Sequence, residues 1–439
     1  MKRKMMIAVL AATVLLSACG QENNNSIKAV RSEDQTESTE VSLEQLGSSR
    51  SDEAGTEELF TDRDMQQTPD LTDAKYISVL NGKDINIDTE GVYVLSGSAE
   101  NVTVYVETDD KAKVQLVLDG LEISNTDSPC IYVKSADKVF LTTVSDDNEL
   151  TVSGSFSSDG DTNTDAVIFS KDDLVLNGTG VLTINSSDNG ISGKDDIKLT
   201  GGTWEIACSG SAIEAHDEIL VADGKVEITA CNDGLHAENN EDDTTGYVYI
   251  AGGTIDVKAA DDGIHATTAV KIDDGDIVLT AAEGIEGTQI EINGGNIEIT
   301  ASDDGINAAR KSSALNPLFE MNGGNVSISM GAGDTDGVDS NGDIRINGGT
   351  ISITGQSTFD YDGNAEYNGG TIIENGKETD TISNQMVDGR GGRGGMAPDG
   401  GFERNGAQWN GKDFEDMKPE DNMGGRRGRG MNRQGTGEL

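Results

Sequence analysis

The chain has 439 residues and a formal net charge of −47, from 79 acidic against 32 basic side chains. Such acidity repels nucleic acid and anionic lipid and attracts divalent cations. Aromatic residues make up only 4% of the sequence, which argues against a binding surface built chiefly of stacked rings, and the five prolines suit long regular structure.

The first 19 residues carry the marks of a targeting segment. Lys2, Arg3 and Lys4 precede an apolar run from Ile7 to Leu16 that is short for a membrane span, and Leu16-Ser17-Ala18-Cys19 supplies small residues ending on a cysteine. This resembles a bacterial lipoprotein signal, which implies that Cys19 becomes an acylated, palmitate-type anchor on the outer face of the cytoplasmic membrane, in the cell envelope. Residues 20–70 are polar and acidic, too poor in apolar side chains to offset ordering entropy, and read as a flexible tether. Val41 to Leu46 could form at most a helical turn.

Strand-like alternation begins near Leu71. Val92 to Leu95, Val102 to Val106 and Val114 to Leu118 are β-branched or apolar runs closed by Gly or Asp. From Asn177 to Thr371 a glycine doublet recurs, as in Thr200-Gly201-Gly202-Thr203, Asn293-Gly294-Gly295-Asn296 and Asn347-Gly348-Gly349-Thr350. Equivalent positions fall at 177, 200, 222, 251, 273, 293, 322, 347 and 368, an even period that a β-sandwich would not keep.

Each unit holds three inward-facing groups, two alternating pairs and one single aliphatic. One pair follows the doublet (Trp204 and Ile206, Val226 and Ile228, Ile255 and Val257), the single aliphatic follows an Asp-Gly step (Leu235, Ile264, Ile306), and the second pair leads to the next doublet (Ile219 and Val221, Val270 and Ile272). Three short strands per unit, each with one face inward, predict an all-β, single-domain parallel β-helix over 71–375. Two longer units carry extra loops, Glu238 to Gly246 and Arg310 to Pro317, expected on one side of the solenoid. Residues 376–439, with Gly389 to Gly395 and Gly424 to Gly430 rich in Gly and Arg, cannot bury a core and read as disordered. Cys130, Cys208 and Cys231 are odd in number and imply no disulfide framework, although Cys208 and Cys231 are spaced to stack on neighbouring coils.

The Asp-Gly steps are the candidate metal sites. Coils about 4.8 Å apart would stack Asp233, Asp261, Asp262, Asp303 and Asp304 into a column of carboxylates that repels itself unless a cation intervenes. Six to eight oxygen ligands without tight octahedral geometry favour Ca2+. A plain solvated turn is the reading for lone aspartates such as Asp188. Asn239, Glu241, Asp242 and Asp243 form a second cluster of oxygen donors beside the Asp233 step, whereas Asp159 to Asp165 matches only the start of an EF-hand loop. His236 and His265 share one place in their units, where Asn307 and Asp339 stand later, which suggests a polar row able to hydrogen-bond sugar. Zinc is chemically compatible with two stacked histidines but lacks close ligand spacing in the sequence.

Taken together, Val114 to Ile123, Ser170 to Leu174, Asn189-Gly190-Ile191, Lys194 to Ile197, Asp233-Gly234-Leu235 and Asn239 to Gly253 resemble the carbohydrate-binding domain-containing β-helix proteins of cellulolytic clostridia. The resemblance implies a right-handed parallel β-helix that is related in shape to polysaccharide lyases and binds calcium and polysaccharide, either acidic pectic sugar or a cellulose-like glucan. A monomeric, lipid-anchored glycan binder is the leading expectation, with Tyr247 beside His236, His265 and Asn307 as ligand-binding residues. Trp204 falls on an inward position and reads as core. Two alternatives stay open: a calcium-dependent pectate lyase, for which Lys258 and Lys271 are the nearest bases in sequence, and a calcium-rigidified adhesin or spacer.

Overall fold

A computed structural model describes residues 59–239, 241–333 and 335–385. The proposed signal segment with Cys19, most of the tether, Asn240 and the Gly/Arg-rich tail lie outside them. The described residues form 34 strands, from Lys75–Ser78 to Lys377–Thr379.

The inward residues dictate the architecture. Trp204, Ile206, Val226, Ile228, Ile255 and Val257 are all nearly or fully buried, and so are Leu235, Ile264, Ile285 and Ile306. They stack in register: Trp204 on Val226 on Ile255 on Ile277, and Leu235 on Ile264 on Ile285 on Ile306. Among the described residues the strands pair in parallel until the final hairpin, where Ile372–Glu374 meets Lys377–Thr379 antiparallel and covers the last edge. The chain is thus a parallel β-helix with three faces: face A after the glycine doublet, face B after the Asp-Gly step, and face C leading to the next doublet.

Two kinds of glycine make the coil possible. The second member of each doublet, such as Gly202, Gly295 or Gly349, has φ near +80° (78°, 84° and 78°), a conformation that side chains with a Cβ resist. The glycine of the Asp-Gly step works differently: a Cβ at Gly234, Gly263, Gly284 or Gly305 would lie 2.3 to 2.6 Å from the carbonyl oxygen of the glycine one coil on. Close backbone stacking, rather than a turn conformation, requires it. At the C-to-A corner the doublets carry a ladder of amides, with Asn322 Nδ2 donating to Asn293 Oδ1, Asn347 to Asn322 and Asn368 to Asn347 at 2.7 to 2.8 Å.

Two features differ from the sequence reading. In two coils the B and C strands run on without a break, as Asp262–Ile272 and Glu283–Ile292, so those coils have two long strands instead of three short ones. Residues 59–67 are a docked segment, not part of a free tether. Asp64 is fully buried and pairs with Lys138 at 3.5 Å, Arg63 lies 4.3 Å over the Phe140 ring, and Gln67 bonds Gly178 N and Thr200 O. The outward residues Phe140 and Val175 of face C are apolar and need this cover. Thr61 and Asp64 exchange side-chain-to-backbone hydrogen bonds, which fixes the turn that presents these partners.

Candidate functional site

The outward row of face B runs the length of the solenoid. In register order it reads Asn86, Tyr105, Tyr132, Phe169, Ser192, Glu214, His236, His265, Glu286, Asn307, Asp339 and Asp360. The first part is aromatic: Tyr105 and Tyr132 rings lie 5.8 Å apart, Tyr132 and Phe169 5.5 Å apart edge to face. Lys134 and Lys194 place their ammonium groups over these rings. The second part is ionisable.

A second row runs beside it, three residues earlier in each coil. Asp262 registers on Glu283, and Asp304 on Asp336, so with Asp233 five successive coils carry a carboxylate there. The sequence reading does not single out Glu283, Glu286 or Asp336, and takes Asp339 only as a member of the polar row, not as a metal ligand. Ala282-Glu283-Gly284-Ile285-Glu286 is the same step as Asp261-Asp262-Gly263-Ile264-His265 with Glu in both polar places, and that alignment was the available signal.

The two rows interlock. His265 is 6% exposed, and its Nδ1 donates to Asp262 Oδ2 at 3.0 Å and Glu286 Oε2 at 2.8 Å. Lys311, from the second inserted loop, reaches Glu286 Oε1 at 2.6 Å. His236 places Nδ1 3.3 Å from Asp233 and Nε2 3.1 Å from Glu238, and its ring stacks on His265 with centroids 4.5 Å apart and planes 14° apart. Asn307 Nδ2 donates to Glu283 at 2.9 Å and Glu286 at 3.3 Å.

Burial and like charge set the electrostatics. Burial, with the neighbouring Glu286 charge, pushes Glu283 up to about 8. Burial and surrounding aspartates push Asp304 up to about 7 and Asp339 up to about 6. Burial opposes the charged His265 ring, but its bonds to Asp262 and Glu286 prevail and lift it to about 9. Burial likewise opposes the Asp233 carboxylate, yet His236 holds it down at about 2. The column is therefore compensated at the histidines and charge-frustrated from Glu283 onward.

The expected ligands separate into groups. Asp233, Asp262 and Asp304 join the column, while Asp261 and Asp303 point outward at the A–B corner, where Ala282 interrupts their row. The acidic loop turns its groups to local structure. Asn239 Oδ1 accepts from Glu241 N, Asp242 caps Thr244, and Asp243 Oδ2 accepts from Ser313 N at 2.8 Å, tying the two inserted loops together. Tyr247 belongs to face C, in register with Glu218 and Ala269 and parallel to Tyr249, so the fold does not bring it to His236, His265 and Asn307. Lys271 also lies on face C, paired with Glu291, and Lys258 is exposed on face A, so neither stands beside the column. Trp204 is core, with Nε1 donating to Gly201 O. Cys208 and Cys231 stand on neighbouring coils as free thiols.

Face A offers a different surface. An open groove of about 350 Å³ runs across its outward side over four coils, lined by Val278, Asn296, Asn325, Ser327, Thr350 and Ser352 among others. Its two outward rows read Asp276, Asn296, Asn325, Thr350 and Val278, Glu298, Ser327, Ser352, and Asn325 bonds Asn296, which bonds Asp276.

A family model described as carbohydrate-binding domain-containing protein matches residues 81–337 and 277–390. A protein of that description from Acetivibrio thermocellus is 37% identical over 124 residues, 27% of this chain and 43% of the relative. The match thus spans less than half the length of that relative. A solved polysaccharide lyase-like protein from C. thermocellum, a gadolinium derivative, aligns with 69% of this chain and 96% of its own at 22% identity and a TM-score of 0.31.

Proposed function

Because the chain belongs to the family of carbohydrate-binding domain-containing proteins, we propose that it is an envelope-anchored polysaccharide binder whose glycan lies along face A. The observation that carries this reading is the groove of about 350 Å³ floored by Asn325, Ser327, Thr350 and Ser352. Strands about 4.8 Å apart present an amide or hydroxyl on three successive coils, through Asn296, Asn325 with Ser327, and Thr350 with Ser352, so a linear polymer along the axis meets similar hydrogen-bonding groups on each of them. The exposed Val278 adds an apolar contact for a sugar face. The N-terminal segment ending at Cys19 supports the anchored location.

Calcium is the cation proposed for the frustrated part of the column. Glu283, Asp304, Asp336 and Asp339 supply carboxylate oxygens, and the buried Asn307 Oδ1 and Asp336 Oδ1 have no hydrogen-bond partner. An all-oxygen donor set of this kind fits a hard cation. When bound, calcium would offset the repulsion that raises Glu283 and Asp304 and, from face B, would lower the net negative charge that an acidic glycan meets on approaching face A.

Affinity electrophoresis in gels containing pectate or soluble glucan, with and without chelator, tests the reading. Retardation by pectate that disappears in chelator, and that Ser327→Trp abolishes without loss of thermal stability, is the expected result. Retardation by neither glycan, with calcium still raising the melting temperature, would leave a structural spacer. Unsaturated product formed on polygalacturonate would replace binding with lyase chemistry.

A further inference from the structure

We propose that His236, His265 and Glu238 form a site for a borderline divalent metal ion such as zinc, distinct from the oxygen-only part of the column. One donor atom from each of the three residues lies within 4.8 Å of the other two. His236 Nε2 and Glu238 Oε2 are 3.1 Å apart. Two ligands of a tetrahedral zinc, each about 2.0 to 2.1 Å from the metal, are about 3.3 Å apart, so this pair is already near binding distance.

The second observation is an unsatisfied atom. His265 is 6% exposed, its Nδ1 is taken by Asp262 and Glu286, and its Nε2 has no hydrogen-bond partner. Both rings turn Nδ1 toward the carboxylate three residues earlier, so their stacking at 4.5 Å sets the free His265 Nε2 on the same side as the His236 Nε2 that faces Glu238. Nothing in a plain ion-pair network requires a buried imidazole nitrogen without a partner. A metal ion satisfies it.

The outer partners fit the same assignment. A metal-bound histidine ordinarily donates its other N–H to a carboxylate, which fixes the tautomer and raises its basicity. His265 has Asp262 and Glu286 in that role, while His236 Nδ1 lies 3.3 Å from Asp233 as an ion pair without a formed hydrogen bond. The competing trio of Asp262, His265 and Glu286 also clusters, but Lys311 at 2.6 Å from Glu286 already supplies a positive charge there and opposes a cation. Two imidazoles and one carboxylate suit zinc and its neighbours and are foreign to calcium. Three protein ligands leave a fourth position for water or for an oxygen of a bound molecule.

The two metals can be told apart in the full-length protein, whatever becomes of the glycan reading. Metal-stripped protein is titrated with zinc by calorimetry, and with cobalt(II) followed by visible absorption, each in excess calcium. One equivalent of zinc, and the intense absorption of a four- or five-coordinate cobalt with nitrogen ligands, are expected. His265→Asn places the side chain found at Asn307 in the same row, so the coil should tolerate it. That variant and Glu238→Gln should each weaken zinc at least 100-fold. Glu238→Gln should leave the melting temperature in chelator unchanged, whereas His265→Asn, which removes the ion pairs to Asp262 and Glu286, should lower it while the protein stays folded. Asp262→Asn should weaken it by about 10- to 100-fold through the outer partner. Zinc binding that calcium displaces, cobalt absorption typical of six oxygen ligands, or zinc affinity unchanged in folded His265→Asn would each overturn the site.

Discussion

The outward row of face B changes character halfway along the solenoid while the coil beneath it does not. From Tyr105 to Phe169 it is a stack of aromatic rings under lysine ammonium groups, and from Glu214 to Asp360 it is a stack of carboxylates, imidazoles and amides. Inward of both halves lie the same fully buried aliphatic ladders. A solenoid can thus exchange one outward chemistry for another without altering its scaffold, since inward and outward residues alternate strictly. The aromatic half stabilises by burial, and the ionisable half stores repulsion that protons or metals relieve.

Removing a ring should give the largest effect. Phe169→Ala empties a fully buried position beside Tyr132 and should cost about 3–4 kcal/mol in urea unfolding. That cost should be the same at pH 5 and pH 9 and with or without calcium. A calcium-dependent loss would show that the halves are not separate.

Next in size is the pH response of the ionisable half in chelator. Glu283 and Asp304 hold protons more tightly in the fold than in the unfolded chain, with values near 8 and 7. Their contribution is most favourable below the unfolded carboxylate range and is lost as pH rises through those values. His265, raised to about 9, is favourable below its ordinary value and is also lost as pH rises through 9. Both act in one direction, so stability should fall between pH 5 and 9 by on the order of 2 kcal/mol, after allowance for partial solvent exposure. Asp233 and Glu286, whose values are lowered, act only below about pH 4.5 and do not oppose this. Saturating calcium should flatten the curve, and a curve that rises toward pH 9 in chelator would contradict the assigned frustration.

A smaller change isolates one carboxylate. Glu283→Gln keeps an oxygen to accept the Asn307 bond and removes one charge from the column. At pH 8 in chelator it should stabilise by about 1 kcal/mol, and calcium should then add less to the melting temperature than in the parent protein. Equal calcium stabilisation in both would move the cation away from Glu283.

The scaffold was legible in the sequence because its rules are local. Alternation marked Trp204, Ile206, Leu235 and Ile264 as inward, and the doublets marked residues such as Gly202 where a positive φ is needed. The site was only partly legible. His236 and His265 declared themselves by occupying one place in successive units, but Glu283 and Glu286 were hidden by the exchange of Glu for Asp and His. Tyr247 is close to His236 in sequence and on another face in space, since the loop between them turns the B–C corner. The partner of Asp243 is Ser313, 70 residues on, which no spacing rule reaches. The docking of Leu59 to Gln67 was masked by acidic neighbours in composition, although its Thr61 and Asp64 capping pair was present to be seen.

The smallest expected effect tests whether charge matters in the aromatic half. Lys134 lies 4.8 Å from the Tyr105 ring centre and 5.0 Å from that of Tyr132, and pairs at 2.9 Å with Asp159, which also accepts from the Tyr132 hydroxyl. Its side chain is 29% exposed, so water already screens much of the attraction. Lys134→Met keeps the apolar stem against the rings, offers a thioether to them and removes the charge together with its partly exposed bond to Asp159. The loss in urea unfolding should stay below about 1 kcal/mol, shrink further in high salt and be unchanged between pH 5 and 9, because the Asp159 bond raises an ammonium that ordinarily titrates above that range. A loss as large as that of Phe169→Ala would mean that charge governs the rings as it governs the ionisable half, and the contrast between the two halves would fail.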